Sequence, residues 1–309
     1  MTPGANLLPH DLLPASREER AAPEAVARPA TSHLSSSWRS LRRDPRGIAC
    51  LLLIAVLVAA AILAPLLTPH DPYLQDLPNR LAGPSTMHPL GTDELGRDVL
   101  SRLLYGCRVS LSVGLVSQSI ALTVGFAVGA CAGYLGGRID AAASFAIQVF
   151  SGFPFLLFAM VAMYVLGPGL QNLYVALGLL MWTTTARLVR AEVLRLRQEE
   201  YVLSCIACGG SAPRVILRHL LPNCAPTLIV SATLGIPNAI LCEATLSFLG
   251  LGVQPPLASW GQMISAARSV IQSSTYYSVI PGVAIIITVM AFNLLGDALR
   301  DALDPKMRS

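Results

Sequence analysis

Glu200 to Asn223 reads EYVLSCIACGGSAPRVILRHLLPN, a segment carrying Arg214, Arg218 and His219 between two apolar runs at 172–188 and 225–250. Glu200 to Cys208 contains no helix breaker, and Gly209-Gly210 ends that helix because glycine enters the left-handed C-terminal conformation without penalty. Ser211 is placed to cap a second short helix. Pro213 is tolerated in its first turn, where the missing N–H has no partner to lose, and Pro222 is expected to stop it. The product is a helix-glycine-helix elbow. Two rigid pieces at a fixed angle transmit a push that a floppy loop absorbs, so the segment reads as a docking handle for another protein. On local physics alone, an ordinary connector is the alternative.

Composition sets the medium around that elbow. Over 309 residues the chain is 53% hydrophobic and 13% charged, with a mean hydropathy of +0.58, more apolar surface than a soluble core hides. Runs long enough to cross about 30 Å of hydrocarbon fall at 48–67, 109–134, 141–166, 172–188, 225–250 and 279–296. The expected fold class is all-α, a polytopic membrane protein with six transmembrane helices. The first run is not a signal peptide: it follows a long polar tail, exceeds a signal core in length and ends in Pro65-Leu66-Leu67 without a small-x-small cleavage site.

Arginine placement orients these spans. Arg39, Arg42, Arg43 and Arg46 precede the first span, and Arg187, Arg190, Arg195, Arg197, Arg214 and Arg218 follow the fourth, so both segments are expected in the cytosol. An even number of spans puts Arg300, Lys306 and Arg308 there too. The 68–108 segment, assigned outside, departs from the pattern with Arg80, Arg97, Arg102 and Arg108, offset by Asp71, Asp76, Asp93, Glu94 and Asp98. The net charge of +4 is thus a topology signal and does not point to nucleic acid.

Five segments follow. Residues 1–47, rich in Pro, Ala, Ser and Arg, read as a disordered cytosolic tail. The first transmembrane helix occupies 48–67. Within the extracytoplasmic 68–108 segment, Thr92 is placed to cap an amphipathic interfacial helix with Asp93 and Glu94 in its first turn and Leu95, Val99, Leu100, Leu103 and Leu104 on one face. Asp98 and Arg102 in that helix would form an i,i+4 pair worth ~0.3–0.5 kcal/mol. A core at 109–296 encloses the 189–224 loop, and 297–309 is a cytosolic tail.

Catalytic signals are missing. The only lysine, Lys306, stands between Pro305 and Met307, so no GxxxxGK[ST] phosphate loop exists and the chain cannot hydrolyse ATP by itself. HExxH and GxSxG are absent, and His10, His33, His70, His88 and His219 are scattered through polar segments. Cys205, Cys208, His219 and Cys224 can be written as a zinc set, but two of them lie beyond the glycine elbow from the others, and no metal site is expected. No cofactor is expected on this chain. Glu243 is the sharpest single residue, because an acid inside an apolar span costs roughly 2.5–3.5 kcal/mol and needs a partner or water.

The spacing from Glu200-Tyr201-Val202 through Gly209 to Leu221-Pro222 resembles the Glu-Ala-Ala loop of ABC-importer permeases. Arg218-His219 and Pro222-Asn223 are most similar to the dipeptide, oligopeptide and nickel subfamily. HPLGTDELGRDVLSRLLYGCR at 88–108, LSFLGLGVQPPLASWGQMISAAR following Glu243, and AFNLLGDALRDALDP at 291–305 resemble it as well. Ser204 and Cys205 stand where that family has alanines, Ile206 where arginine is common, and Phe145 and Gln148 where an arginine and an aspartate are usual. The resemblance implies a type I importer permease, a five-helix core plus one N-terminal helix, in the cytoplasmic (inner) membrane of a prokaryote. It implies an ATPase-coupling set of Glu200, Tyr201, Ser204, Cys205, Gly209, Ser211, Arg214, His219, Leu221 and Pro222. Implied partners are a second homologous permease, two ABC ATPase subunits that hold ATP and Mg, an extracytoplasmic substrate-binding protein and membrane lipid. The implied activity is import of di- or oligopeptides by alternating access, with nickel or glutathione as alternative substrates. Glu243 then either lines the path and meets the amino end of a passing peptide, or is a hydrogen-bonded packing residue. An ion-coupled secondary transporter is the rival class, which calls for titratable groups near the bilayer midplane.

Overall fold

The computed structural model describes residues 44–272 and 274–303, so the expectations for residues 1–43 and 304–309, the tails for the most part, lie outside the described residues. The helices are α1 (Pro45–Leu67), α2 (Val99–Leu135), α3 (Gly137–Ser151), α4 (Phe155–Leu166), α5 (Leu170–Leu196) and α6 (Glu200–Ala207). After the elbow come α7 (Ala212–Val215), α8 (Leu221–Phe248), α9 (Trp260–Ala267) and α10 (Thr275–Leu303). Among the described residues every regular element is a helix, in keeping with the all-α expectation. α1, α2, the continuous Ala212–Phe248 rod and Tyr276–Leu303 are each long and apolar enough to cross a membrane, and the bent pair α3–α4 makes up to five. α5, at 27 residues, spans about 40 Å but carries Gln171, Asn172, Thr183, Thr184, Thr185, Arg187 and Arg190, which dilute its hydropathy. It is sheltered instead: α2 and α5 run parallel in the most extensive helix contact of the molecule.

Glycine permits that contact. A Cβ on Gly125 would lie 2.9 Å from Trp182 O, on Gly129 2.5 Å from Ala186 O, and on Gly133 3.0 Å from Arg190 O. Gly178 answers from α5, where a Cβ would sit 3.0 Å from Ser117 O. Small residues every fourth position let two backbones approach in a medium that offers no hydrophobic drive between helices.

Several expectations are corrected. Residues 92–98 do not form the amphipathic helix. Gly96 has φ +75°, and a Cβ there would fall 1.8 Å from Asp76 O, while Thr92 and Asp98 form an isolated antiparallel bridge. The helix begins at Val99, capped by Asp98, whose carboxylate accepts from Ser101 N at 2.7 Å, and it continues without interruption through the predicted span. The Asp98–Arg102 pair is not formed. Arg102 is buried and directed at Asp93 Oδ2, 3.3 Å away, and it donates to Gln262 Oε1 at 2.9 Å. Arg97 likewise binds Asp93 and Glu94 at 2.7 and 3.0 Å. Two of the four arginines that disturb the topology rule are therefore neutralised inside the loop.

The 141–166 run is broken rather than straight. α3 and α4 meet at 91°, because Pro154 offers no N–H and forces Phe153 out of the helical region. Pro222 does not stop a helix. A π-turn at Ile216–Leu220 precedes it, and Asn223 Nδ2 donates to His219 O at 2.6 Å. α10 runs on to Leu303, beyond the expected limit at 296.

Candidate functional site

The elbow forms as its residues dictate. Gly209 has φ +79°, Gly209 N donates to Ile206 O and Gly210 N to Cys205 O, both at 2.9 Å, the paired bonds of a Schellman turn. Gly210 is needed for space, since a Cβ there would fall 2.6 Å from Cys205 Sγ. Ser211 occupies the N-cap position of α7 but makes no side-chain capping bond, and Pro213 sits in the first turn.

Buried Val202, Val215, Leu220 and Cys224 seat the elbow on Ala130, Val189, Val193 and Leu196, at the C-terminal ends of α2 and α5. Tyr201 and His219, far apart along the loop, face each other with ring centroids 6.3 Å apart. Burial pushes the Tyr201 phenol above its usual range, with Glu199 adding to the shift. Glu200, Ser204, Gly209, Ser211, Arg214 and Pro222 are exposed, and Tyr201, Cys205, His219 and Leu221 are half-buried. Leu203 is 52% and Leu217 60% exposed, with Ile206 beside them at 40%. Leu203 and Leu217 escaped the sequence reading, although Leu203 shares a face with Ile206 by their i,i+3 spacing. Cys205, Cys208, His219 and Cys224 do not gather into a metal cluster among the described residues.

A second feature lies in the helices. A cavity of about 440 Å³ opens between α2, α4, α5 and α8, with Gln118, Thr183, Thr184, Ser231 and Asn238 as polar lining and no Asp, Glu, Lys or Arg. Gln118 Nε2 donates to Ser231 O at 3.2 Å, and Ser231 Oγ lies 3.4 Å from Thr185 Oγ1. Gly235 makes this possible: a Cβ there would overlap the Gln118 amide at 2.1 Å. Sequence reasoning missed this polar seam. Gln118 inside an apolar run and the Thr183-Thr184-Thr185 triplet were its signals.

Glu243 stands outside that lining, at 0% exposure. Ser247 and Ser259 each donate to its Oε1 at 2.7 Å, and Ser110 donates to Oε2 at 3.4 Å. Those serines hold α9 in turn. Ser259 Oγ accepts from Gln262 N at 3.1 Å, and Ser110 Oγ accepts from Trp260 N at 3.2 Å. The carboxylate thus joins α2, α8 and the start of α9.

Residues 125–309 match the family described as binding-protein-dependent transport system inner membrane component. Residues 32–84 match the N-terminal TM domain of oligopeptide transport permease C. The chain belongs to the binding-protein-dependent transport permeases. The dipeptide transport system permease protein DppC of Bacillus subtilis is 41% identical over 98% of this chain and 95% of its own length. The nickel transport system permease protein NikC of Escherichia coli is 43% identical over 89% of this chain and 96% of its own. A chain of the MetNI methionine ABC transporter, solved in inward-facing conformations, shares the fold with a TM-score of 0.55 at 20% identity, covering 66% of this chain and 96% of that one. The permease is therefore a multi-pass inner-membrane component of an ABC importer. Such components are not themselves catalytic and work with ABC partners and a substrate-binding protein.

Proposed function

We propose that this permease imports short peptides by alternating access, paired with a homologous but different permease and driven by two ATPase subunits that bind ATP and Mg. The elbow carries the reading. Leu203, Ile206 and Leu217 present apolar surface on a loop whose flanks hold Arg195, Arg197, Arg214 and Arg218. A rigid turn that seats directly on α2 and α5 while exposing such a patch suits a cleft on an ATPase, which would cover the patch and transmit its motion.

Arginine placement puts the elbow and both termini in the cytosol, with the 68–98 loop outside, toward a docked binding protein. The coupling role extends to Glu200, Tyr201, Ser204, Cys205, Gly209, Ser211, Arg214, His219, Leu221 and Pro222 through their place on or under this surface. Position 206 contributes apolar contact rather than an ion pair.

Peptide is the favoured cargo because the dipeptide relative aligns along nearly the whole chain and the cavity lining combines apolar side chains with uncharged polar groups. Gln118, Thr183, Thr184, Ser231 and Asn238 can exchange hydrogen bonds with a passing amide backbone without trapping it. The lining also argues against ion coupling, which needs a titratable group there. Glu243, walled off by three serines, takes the packing role.

Reconstitution of the full transporter with its binding protein in proteoliposomes tests the assignment. ATP-dependent uptake of dialanine is expected. Uptake of nickel or glutathione without dialanine would overturn the cargo, and uptake driven by an ion gradient without ATP would overturn the mechanism.

A further inference from the structure

Two histidines that are distant in sequence meet an aspartate at the head of α2, the end remote from the elbow. His88 Nδ1 lies 2.9 Å from Asp98 Oδ1, and His70 Nδ1 lies 3.9 Å from the same oxygen. The imidazole centroids are 4.7 Å apart, and one ligand atom from each of the three residues lies within 4.8 Å of the other two. Around a tetrahedral ion with bonds of about 2.1 Å, neighbouring ligand atoms stand about 3.4 Å apart. The two separations bracket that spacing, so the three ligand atoms stand close to coordination distance of one another.

A second observation points at the same spot. His70 Nδ1 is buried and has no hydrogen-bond partner, although it is directed at a carboxylate just beyond hydrogen-bond reach. A buried nitrogen left in this state is costly unless something binds it.

The frame around the three residues is firm. His70 N donates to Ser101 Oγ at 3.3 Å, His88 N donates to Ser85 Oγ at 3.0 Å, and Ser85 N donates to His88 O at 2.9 Å. Asp98 Oδ2 accepts from Ser101 N, which leaves Oδ1 for the histidine side. The aspartate side chain is buried while both imidazoles retain some exposure. An ion can therefore enter from solvent and keep water as a further ligand.

We propose that His70, His88 and Asp98 form a binding site for a divalent transition metal ion of the zinc class. Two imidazoles and one carboxylate suit zinc, nickel or copper, whereas magnesium and calcium favour all-oxygen sets. The bound ion clips the 68–98 loop to the first turn of α2 through its two histidines. It sits apart from the cavity and does not depend on which substrate is carried. The expectation that the histidines are scattered does not hold for this pair: His70 and His88 converge only because the loop between them folds back.

The test uses the assembled transporter carrying Cys131→Ala and Cys208→Ala, which removes the exposed thiols that bind zinc non-specifically. Isothermal titration with Zn2+ in excess Mg2+ is compared between this parent and the same protein with His70→Ala, His88→Gln or His219→Ala. One high-affinity ion per chain is expected, weakened about tenfold or more by either of the first two changes and unaffected by the third. His70→Ala is the decisive variant, because that side chain makes no hydrogen bond whose loss would disturb the loop. Co2+ as a spectroscopic probe should give d–d bands with imidazole ligation in the parent and lose them in His70→Ala. Equal Zn2+ binding in parent and His70→Ala, or no Zn2+ binding in the parent, would overturn the proposal.

Discussion

Gly209 is the position where one side chain decides whether the elbow keeps its angle. Its φ of +79° lies where a β-branched residue is strained, so Gly209→Val should cost ~1–2 kcal/mol in the turn. No neighbour stands within 4 Å of a Cβ there, which makes the effect conformational rather than steric. Poor assembly or ATP hydrolysis without uptake is expected, and normal substrate-stimulated ATPase with normal uptake would remove the coupling role. Glu243 poses the opposite problem, because its chemistry matters more than its shape. Gln at that position keeps an acceptor for Ser247 and Ser259, so uptake normalised to assembled complex should change equally for free and amino-blocked peptides. Glu243→Leu leaves the hydroxyls of three serines without their acceptor and should reduce assembly further, at ~1–3 kcal/mol per buried group left unpaired. A selective loss of peptides with free amino ends in the Gln variant would restore the cavity role.

At the scale of elements, most of the helices were legible and most of their breaks were not. Apolar runs locate α1, α8 and α10 because a bilayer demands length and hydropathy alone. Hydropathy is blind to direction, however, and the 91° bend at Gly152-Phe153-Pro154 sits inside a run that reads as one span. Pro154 was the available signal. Pro222 misled in the opposite sense, since its missing N–H is accommodated by a wide turn before it and by the Asn223 side chain beside it. The elbow was readable because glycine chemistry is local, whereas the Glu243 serines, the polar seam and the histidine pair join segments that only tertiary packing brings together. The glycine ladder gives an element-scale test. Gly129→Ala places a methyl 2.5 Å from Ala186 O, while Gly133→Ala meets Arg190 O at 3.0 Å. The first should lower thermal stability more, within the ~1–3 kcal/mol typical of overpacking. Equal melting temperatures would mean that α2 and α5 separate easily.

For the molecule as a whole, the proposed docking role of the elbow rests on the exposed apolar side chains it carries. Leu203→Glu should abolish ATPase co-purification while leaving the partner permease bound, because Leu203 is 52% exposed and lies outside the apolar cluster that seats the elbow. Retention of both partners would place the docking surface elsewhere. The ladder between α2 and α5 also has a mechanical meaning. Two rods locked backbone to backbone behave as one beam, and α2 with its 37 residues is about 55 Å long. The elbow is bolted to one end of that beam and the histidine cluster stands at the other. A tilt of roughly 5° at the elbow end would then carry the far end through about 5 Å, so a motion imposed at one end reaches the other with no flexible relay in between. The kinked α3–α4 pair and the π-turn before α8 are breaks in helix regularity that lie outside this beam.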